Sequence, residues 1–202
     1  EKGCEWDTGL HYTSKAMSNK AKRPGAIMDF MSRGLQKWTP LEDPYDEILF
    51  PPDTDIRPGA PNRMSYPFMS GKAKTVDAIM ENIDPNDGEL RERTLTYLTL
   101  CNNIEGYFVA LGISRILPRF LHFLVKSKID NLMKLASMSV RDVQHAILAL
   151  GFNSNDLIVK GCPKAPKGPD PDPAIRRLKA VLTHPIGDYA VQPREATFAA
   201  HG

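Results

Sequence analysis

The sequence predicts an all-α protein in which one small helical bundle is flanked by long, extended arms. Sixteen of the 17 prolines lie outside residues 88–160, and proline disfavours long helices and central strands because it fixes φ and lacks a backbone donor. Within residues 88–160, 37 of 73 residues are hydrophobic, many of them at helical spacing, and no strand signal is present. The predicted organisation is an N-terminal arm (1–87), the bundle (88–160) and a proline-rich C-terminal arm (161–202).

The bundle is predicted to begin with two helices. Asp87 precedes a run with leucines at helical spacing, which indicates the start of the first helix. Asn102 or Asn103 has the side chain of a good N-cap and is expected to begin a short second helix. Gly112 is expected to end that helix in the left-handed conformation that glycine adopts easily.

Three further helical segments complete the predicted bundle. Pro118 suits the first turn of a helix, where a missing N–H costs little, and the expected apolar face of this helix consists of Phe120, Leu121, Phe123 and Leu124. Residues 129–135 are expected to form a short helix or turn. Ser139 is the predicted cap of the last helix, with Gly151 as its stop.

The arms contain shorter helical patterns. Residues 25–38 are predicted to form one amphipathic helix, and a second pattern follows Thr75 with Val76, Ile79, Met80 and Ile83. Asp172 and Pro173 are predicted to begin a final helix. Residues 40–70 are predicted to be extended and rich in turns because of their X-Pro and Pro-Gly pairs.

Residues 104–152 resemble a sterile alpha motif, the small helical bundle known as a SAM domain. The matching segments are Tyr107–Ile113, Phe120, Phe123, Lys128–Leu135, Met138–Val143 and Leu150–Phe152. The resemblance covers roughly 50 of the 202 residues. It implies a helical docking domain. The family's long final helix is cut short here at residues 153–160, so the resemblance does not imply polymerisation through that helix.

No sequence motif predicts catalysis. Phosphate-loop, zinc-protease, nucleophile-elbow and calcium-loop spacings are absent from the sequence, and the three cysteines are too widely spaced for a disulfide framework. His122 is predicted to be a packed or rim histidine, and His145 is predicted to face solvent. Lysines near Cys162 are expected to favour its thiolate somewhat. We therefore predict that the chain is not an enzyme and has no catalytic, cofactor or metal site.

The net charge of +2 is the sum of uneven blocks. Residues 10–40 carry six basic residues against one acidic residue, and residues 41–56 carry six acidic residues and no basic one. These blocks favour contact with neighbouring proteins over a globally basic nucleic-acid surface. The residues predicted to bind partners are Lys20, Lys22, Arg23, Ile27, Phe30, Met31, Leu35, Trp38, Asp130 and Arg141.

The leading functional prediction is a non-catalytic accessory subunit of a large complex. Arms without their own core need partners to order them, and the sequence starts with Glu1 in place of methionine, which either a cleaved presequence or a fragment would explain. We therefore expect a peripheral, not membrane-spanning, subunit of mitochondrial ATP synthase or a respiratory complex, with protein partners and no small-molecule substrate. The alternatives are an RNA-contacting mitochondrial ribosomal protein, which would also use Arg115, Arg119, Lys126 and Lys128, and a SAM-type signalling adaptor.

Overall fold

The computed structural model describes residues 19–21, 23–35, 37, 42–50 and 65–187. The described residues fall into two units, one up to residue 42 and one from residue 43 onward. Within the described ranges the chain forms seven α-helices and two short β-strands. The prediction of a largely helical protein is therefore confirmed.

The first unit contains helix α1, Arg23–Met31. The helix ends seven residues before the predicted end at residue 38, because the chain turns at Ser32–Gly34. Arg33 and Gly34 both have positive φ in this turn, at 54° and 75°, a conformation that does not continue a right-handed helix. Ile27, Phe30 and Met31 are exposed.

The second unit begins with a two-stranded antiparallel sheet, which corrects the expectation that no strands form. Strand β1, Asp46–Leu49, pairs with β2, Ser65–Phe68, and places Ile48 opposite Tyr66. Both side chains are buried, and they fix which face of the sheet packs inward. Pro67 is compatible with this sheet because both strands are edges, where a missing N–H donor is tolerated.

Six helices follow the sheet. Their bounds are α2 Lys72–Ile83, α3 Gly88–Ile116, α4 Phe123–Ala136, α5 Val140–Gln144, α6 Ser154–Lys160 and α7 Pro173–Gly187. A 3₁₀ turn, Arg119–Leu121, precedes α4, and a π turn, His145–Ala149, continues α5. The pattern after Thr75 and the start of α7 at Pro173 agree with the sequence predictions.

Helix α3 is one continuous helix of 29 residues, where the sequence predicted two. Asp87 caps it, accepting a hydrogen bond from the Leu90 N–H at 2.8 Å. The helix runs through Asn103 and Gly112, and Gly112 does not have positive φ. Asparagine and glycine weaken a helix interior by only about 1 kcal/mol each. Packing of α3 on α4 and on α2 is enough to keep it helical.

The end of the bundle follows the predicted local signals. Ser139 accepts a hydrogen bond from the Asp142 N–H at 3.1 Å and caps α5. Gly151 has a φ of 71° and ends the following π turn. The Arg93 guanidinium donates to the backbone oxygens of Leu148 and Ala149 at 3.1 and 3.2 Å. Arg93 of α3 therefore provides hydrogen-bond donors for the Leu148 and Ala149 carbonyl oxygens, which have no helical N–H partner at this helix end.

One hydrophobic core joins segments that the sequence analysis assigned to three regions. It contains Ile48 and Tyr66 of the sheet, Ile79 of α2, Ile147 of the π turn and Leu178 of α7. Extended arms are therefore not confirmed for residues 46–49, 65–83 and 173–183, which bury apolar side chains in this core. Among the described helices, no segment has the length and apolar character needed to cross a membrane.

Candidate functional site

A cavity of about 280 Å³ lies between α5, the loop of residues 161–172 and α7. Its walls combine small apolar residues with polar ones, as ligand sites commonly do. The lining residues are Arg141, Gln144, Ala165, Pro166, Gly168, Pro169, Asp170, Arg176, Lys179, Ala180 and Thr183.

The loop that closes this cavity is held by Asp142 of α5. The Asp142 carboxylate accepts hydrogen bonds from the Lys164 ammonium and the Ala165 N–H, both at 2.9 Å. Burial acts to raise the pKa of Asp142, but these two bonds and one from Ser139 outweigh it and hold the pKa below its usual value. Arg141 also donates to the Pro166 and Gly168 carbonyl oxygens. The loop is thus tied to α5 by charged side chains.

Helix α7 forms the opposite wall and begins at a capped end. Asp172 accepts a hydrogen bond from the Ala174 N–H at 2.9 Å, which is the cap that the Asp-Pro pair predicts. The Lys179 ammonium lies 2.7 Å from Asp170 Oδ2, and both side chains are largely buried. This pair joins the loop to α7 across the cavity wall.

A neutral hydrogen-bond network lies at the side of the cavity nearest α3. Gln144 Nε2 donates to Thr183 Oγ1 at 3.1 Å and approaches the Tyr97 hydroxyl at 3.3 Å. Gln144 and Tyr97 are almost fully buried. Because the network joins α3, α5 and α7, it fixes the positions of the polar groups that face the cavity.

His145 lies beside the buried pair, which corrects the prediction that it faces solvent. Its Nδ1 is 3.9 Å from Asp170 Oδ2, and only 15% of its side chain is exposed. Within the described part of the chain, Nδ1 has no hydrogen-bond partner. Burial, followed by the charge of Lys179, lowers the pKa of His145. The uncharged imidazole is therefore the form that this position favours. The sequence analysis assumed regular α-helical spacing over residues 140–150. The π turn that begins at His145 changes this spacing.

Cys162 does not have the favoured thiolate that the nearby lysines predicted. Burial, followed by the charge of Asp142, raises the pKa of Cys162 to about 11. Lys164 opposes this shift, but its ammonium is already paired with Asp142. Burial likewise raises the pKa of Cys101, on α3, to about 12. Both thiols are therefore protonated at neutral pH.

A second feature of this unit is an exposed apolar surface at the turn between α3 and α4. The predicted apolar face of Phe120, Phe123 and Leu124 is exposed, which corrects the expectation that it packs in the bundle. Leu132 and Leu135, further along α4, are the residues that pack in the core. His122, also exposed, places Nε2 3.1 Å from the Leu117 carbonyl oxygen.

Most predicted partner-binding residues lie in the first unit. Four apolar residues among them are exposed: Ile27, Phe30, Met31 and Leu35. Lys20 forms an ion pair with Asp29 at 2.5 Å. The backbone of Arg23 begins α1, whereas Lys22 and Trp38 lie outside the described residues.

The two remaining predicted residues lie in the second unit. Asp130 lies within α4 and pairs with Lys126. Of the predicted residues in this unit, the structure brings only Arg141 to the cavity. The sequence analysis missed four residues that line the cavity: Gln144, Asp170, Lys179 and Thr183. No local motif joins α5 to a loop and a helix that lie more than 20 residues further along the chain.

Comparison with known proteins points to an enzyme. Over the whole chain, it is 27% identical to the all-trans-retinol 13,14-reductase of Danio rerio. It is 23% identical to the proteins of the same name from Macaca fascicularis and Rattus norvegicus. The chain spans 28% of the length of these relatives. No protein-family model matches the chain, and no solved structure matches it. The SAM resemblance therefore stays a prediction.

These relatives contradict the functional prediction drawn from the sequence. The interpretation as a non-catalytic subunit of ATP synthase or a respiratory complex is wrong, and so is the expectation of no small-molecule substrate. The reasoning failed because it required a complete local motif. A segment that matches 28% of an enzyme can carry substrate contacts without one. The mitochondrial location stays a prediction.

Proposed function

We propose that the chain is the substrate-contacting part of an oxidoreductase that acts on all-trans-retinol or a related apolar alcohol. The proposal rests on one observation: polar side chains converge on a small cavity in a chain that aligns along its whole length with three retinol reductases. The proposal assigns substrate contact, and not electron transfer, to the described residues.

The cavity suits the polar end of such an alcohol. Ala165, Pro166, Pro169 and Ala180 supply apolar wall, and a volume of about 280 Å³ is at the lower end of the range for small-ligand sites. An entire long hydrocarbon needs further apolar surface, so the cavity holds one end of the molecule. We assign that end to the hydroxyl group because the cavity is where the polar groups converge.

Hydrogen-bond chemistry gives two of the lining residues a role toward that hydroxyl. Thr183 Oγ1 can accept a hydrogen bond from the hydroxyl, and the Lys179 ammonium can donate a hydrogen bond to its oxygen. Asp170 Oδ2 holds the Lys179 ammonium in place at 2.7 Å. His145, which lies beside this pair, favours its uncharged form because burial lowers its pKa.

Binding of all-trans-retinol to the full chain, measured by the fluorescence of the bound alcohol, tests the assignment. Thr183→Val removes the hydroxyl with little change in shape and is expected to weaken binding about fivefold to tenfold, as the loss of one hydrogen bond predicts. Thr99→Val is the matched control, because Thr99 lies on α3 away from the cavity lining. The methyl ether of the same alcohol cannot donate a hydrogen bond, so Thr183→Val is expected to leave its affinity unchanged. Equal losses in both threonine variants would contradict the assignment.

The reductase activity itself is tested in cells that express the protein and are supplied with all-trans-retinol. The expected product is heavier than retinol by two hydrogen atoms, detected by mass spectrometry, with the reductant drawn from the cell. Cells that express the Thr183→Val variant are expected to form less of it. Product levels that are equal for the unchanged protein and for Thr183→Val would contradict the substrate contact assigned to Thr183.

A further inference from the structure

The turn between α3 and α4 forms an exposed apolar projection, which we call the α3–α4 tip and define as residues 108–128. Ile116, Phe120 and Phe123 are 82%, 76% and 67% exposed. Val109, Ile113 and Ile116 follow the 4–3 spacing of a helix face, yet they are also exposed. Several large apolar side chains exposed in one stretch of the chain indicate a contact site.

The charges of the α3–α4 tip all have one sign. No aspartate or glutamate occurs between Glu105 and Asp130, whereas Arg115, Arg119, Lys126 and Lys128 lie in that interval. Lys126 pairs with Asp130 along α4. Among the residues that the structure describes, Arg115, Arg119 and Lys128 are exposed and take part in no ion pair. The exposed apolar residues of the tip therefore share this stretch of chain with cations and with no acidic residue.

The α3–α4 tip is remote from the candidate cavity. Tyr97, which contacts the cavity residue Gln144, precedes Ile116 by 19 residues on the same helix. At a rise of 1.5 Å per residue this separation is about 28 Å along α3. The tip therefore does not belong to the cavity wall, and it needs an occupant of its own.

We infer that the α3–α4 tip docks on an anionic phospholipid surface, with Phe120 and Phe123 inserted among the acyl chains and the cations at the headgroups. Aromatic and aliphatic side chains surrounded by Lys and Arg are the combination that binds the interface of anionic bilayers. A protein partner that buried this surface would need acidic groups opposite four cations, whereas an anionic leaflet supplies negative charge in any orientation. The inference goes beyond the proposed function and requires no catalysis.

Co-sedimentation of the full chain with lipid vesicles tests the inference. We expect binding to vesicles of phosphatidylcholine mixed with phosphatidylserine, weaker binding to phosphatidylcholine alone, and loss of binding as salt is raised. Phe120→Ser with Phe123→Ser is expected to lower the partition coefficient about tenfold or more. Arg115→Gln with Arg119→Gln is also expected to lower it about tenfold or more.

Matched controls separate the tip from general surface effects. Leu49→Ser with Val159→Ser removes two apolar side chains that are 70% and 80% exposed elsewhere, and Lys160→Gln with Lys167→Gln removes two exposed cations. Both control variants are expected to bind as the unchanged chain does. Circular dichroism confirms that each variant is folded.

A fluorescent reporter locates the contact. Phe120→Trp is expected to shift its emission to shorter wavelength on anionic vesicles and to be quenched by brominated acyl chains, whereas Leu49→Trp is expected to change little. Equal binding of the tip and control variants would overturn the inference. The inference would also be overturned if the unchanged chain did not bind vesicles and the tip variants abolished its self-association, measured by light scattering. Loss of vesicle binding with unchanged retinol affinity would leave the proposed function intact.

Discussion

Lys179 on α7 and Asp170 in the loop of residues 161–172 form an ion pair of 2.7 Å, in which the side chains are only 18% and 6% exposed. The pair closes a loop that has no regular secondary structure against a helix of the core. Charges taken out of water need a partner, so loss of one member leaves the other uncompensated. On the side facing α7, the loop is therefore held by the Lys179 ammonium, in addition to its bonds to Asp142 and Arg141 of α5.

We expect Lys179→Met to lower the free energy of unfolding by about 2–4 kcal/mol, because it leaves the Asp170 carboxylate buried without its cation. Urea unfolding followed by circular dichroism measures the change. Lys126→Met is the matched control. It breaks an ion pair whose members are 71% and 51% exposed, and exposed pairs contribute less than about 1 kcal/mol. The double variant Asp170→Asn, Lys179→Met should recover part of the loss, and no recovery would contradict the assignment.

The placement of His145 predicts a pH dependence of stability. Because burial lowers the pKa of His145, the unfolded chain takes up a proton at higher pH than the folded chain. The associated stability is present above the ordinary histidine pKa of about 6.5 and is lost as the pH falls below it. We expect the free energy of unfolding to fall between about pH 7.5 and about pH 5.5, and His145→Asn to reduce this fall. His122→Asn, at an exposed position, is the control. An unchanged slope in His145→Asn would show that another group titrates.

Several local elements followed from the sequence because their signals involve neighbouring residues. Ser139 bonds a backbone N–H three residues away, Gly151 needs only its own φ, and Asp172 caps the residues that follow it. In contrast, the Lys179–Asp170 pair and the contact between Gln144 and Thr183 depend on where separate elements pack. No periodicity encodes such contacts, so the cavity could not be predicted.

The same distinction explains the errors at α3 and its tip. The sequence between Asn102 and Gly112 has strong local stop signals, and only packing against α2 and α4 keeps the helix continuous. The apolar residues near Phe120 were interpreted as core because apolar spacing does not show whether a face has a partner. Whether a helix face is exposed depends on whether another element of the fold packs against it.

Cysteine reactivity provides a further test of burial. With the pKa of Cys162 raised to about 11 and that of Cys101 to about 12, the thiolate fraction at neutral pH falls by factors of about 100 and about 1000 relative to a thiol of pKa 9. We expect iodoacetamide to modify both residues much more slowly in the folded chain than in urea. Mass spectrometry of the digested chain measures each site separately. Equal rates in the two states would contradict the burial.

Gly151 ends the π turn at a φ of 71°, where a side chain adds strain. A Cβ at this position would also lie 3.3 Å from Arg93 Nε, so it would crowd the guanidinium that bonds the Leu148 and Ala149 carbonyl oxygens. We expect Gly151→Ala to lower the free energy of unfolding by about 1–2 kcal/mol, measured by urea unfolding.

Gly112→Ala is the matched control. It lies within α3, where alanine favours helix and no atom lies within 4 Å of the added Cβ, so it should stabilise the chain by up to about 1 kcal/mol. Opposite signs for the two substitutions would confirm that Gly151 ends a helix and Gly112 continues one. A loss of stability in Gly112→Ala would instead indicate the helix break that the sequence predicted.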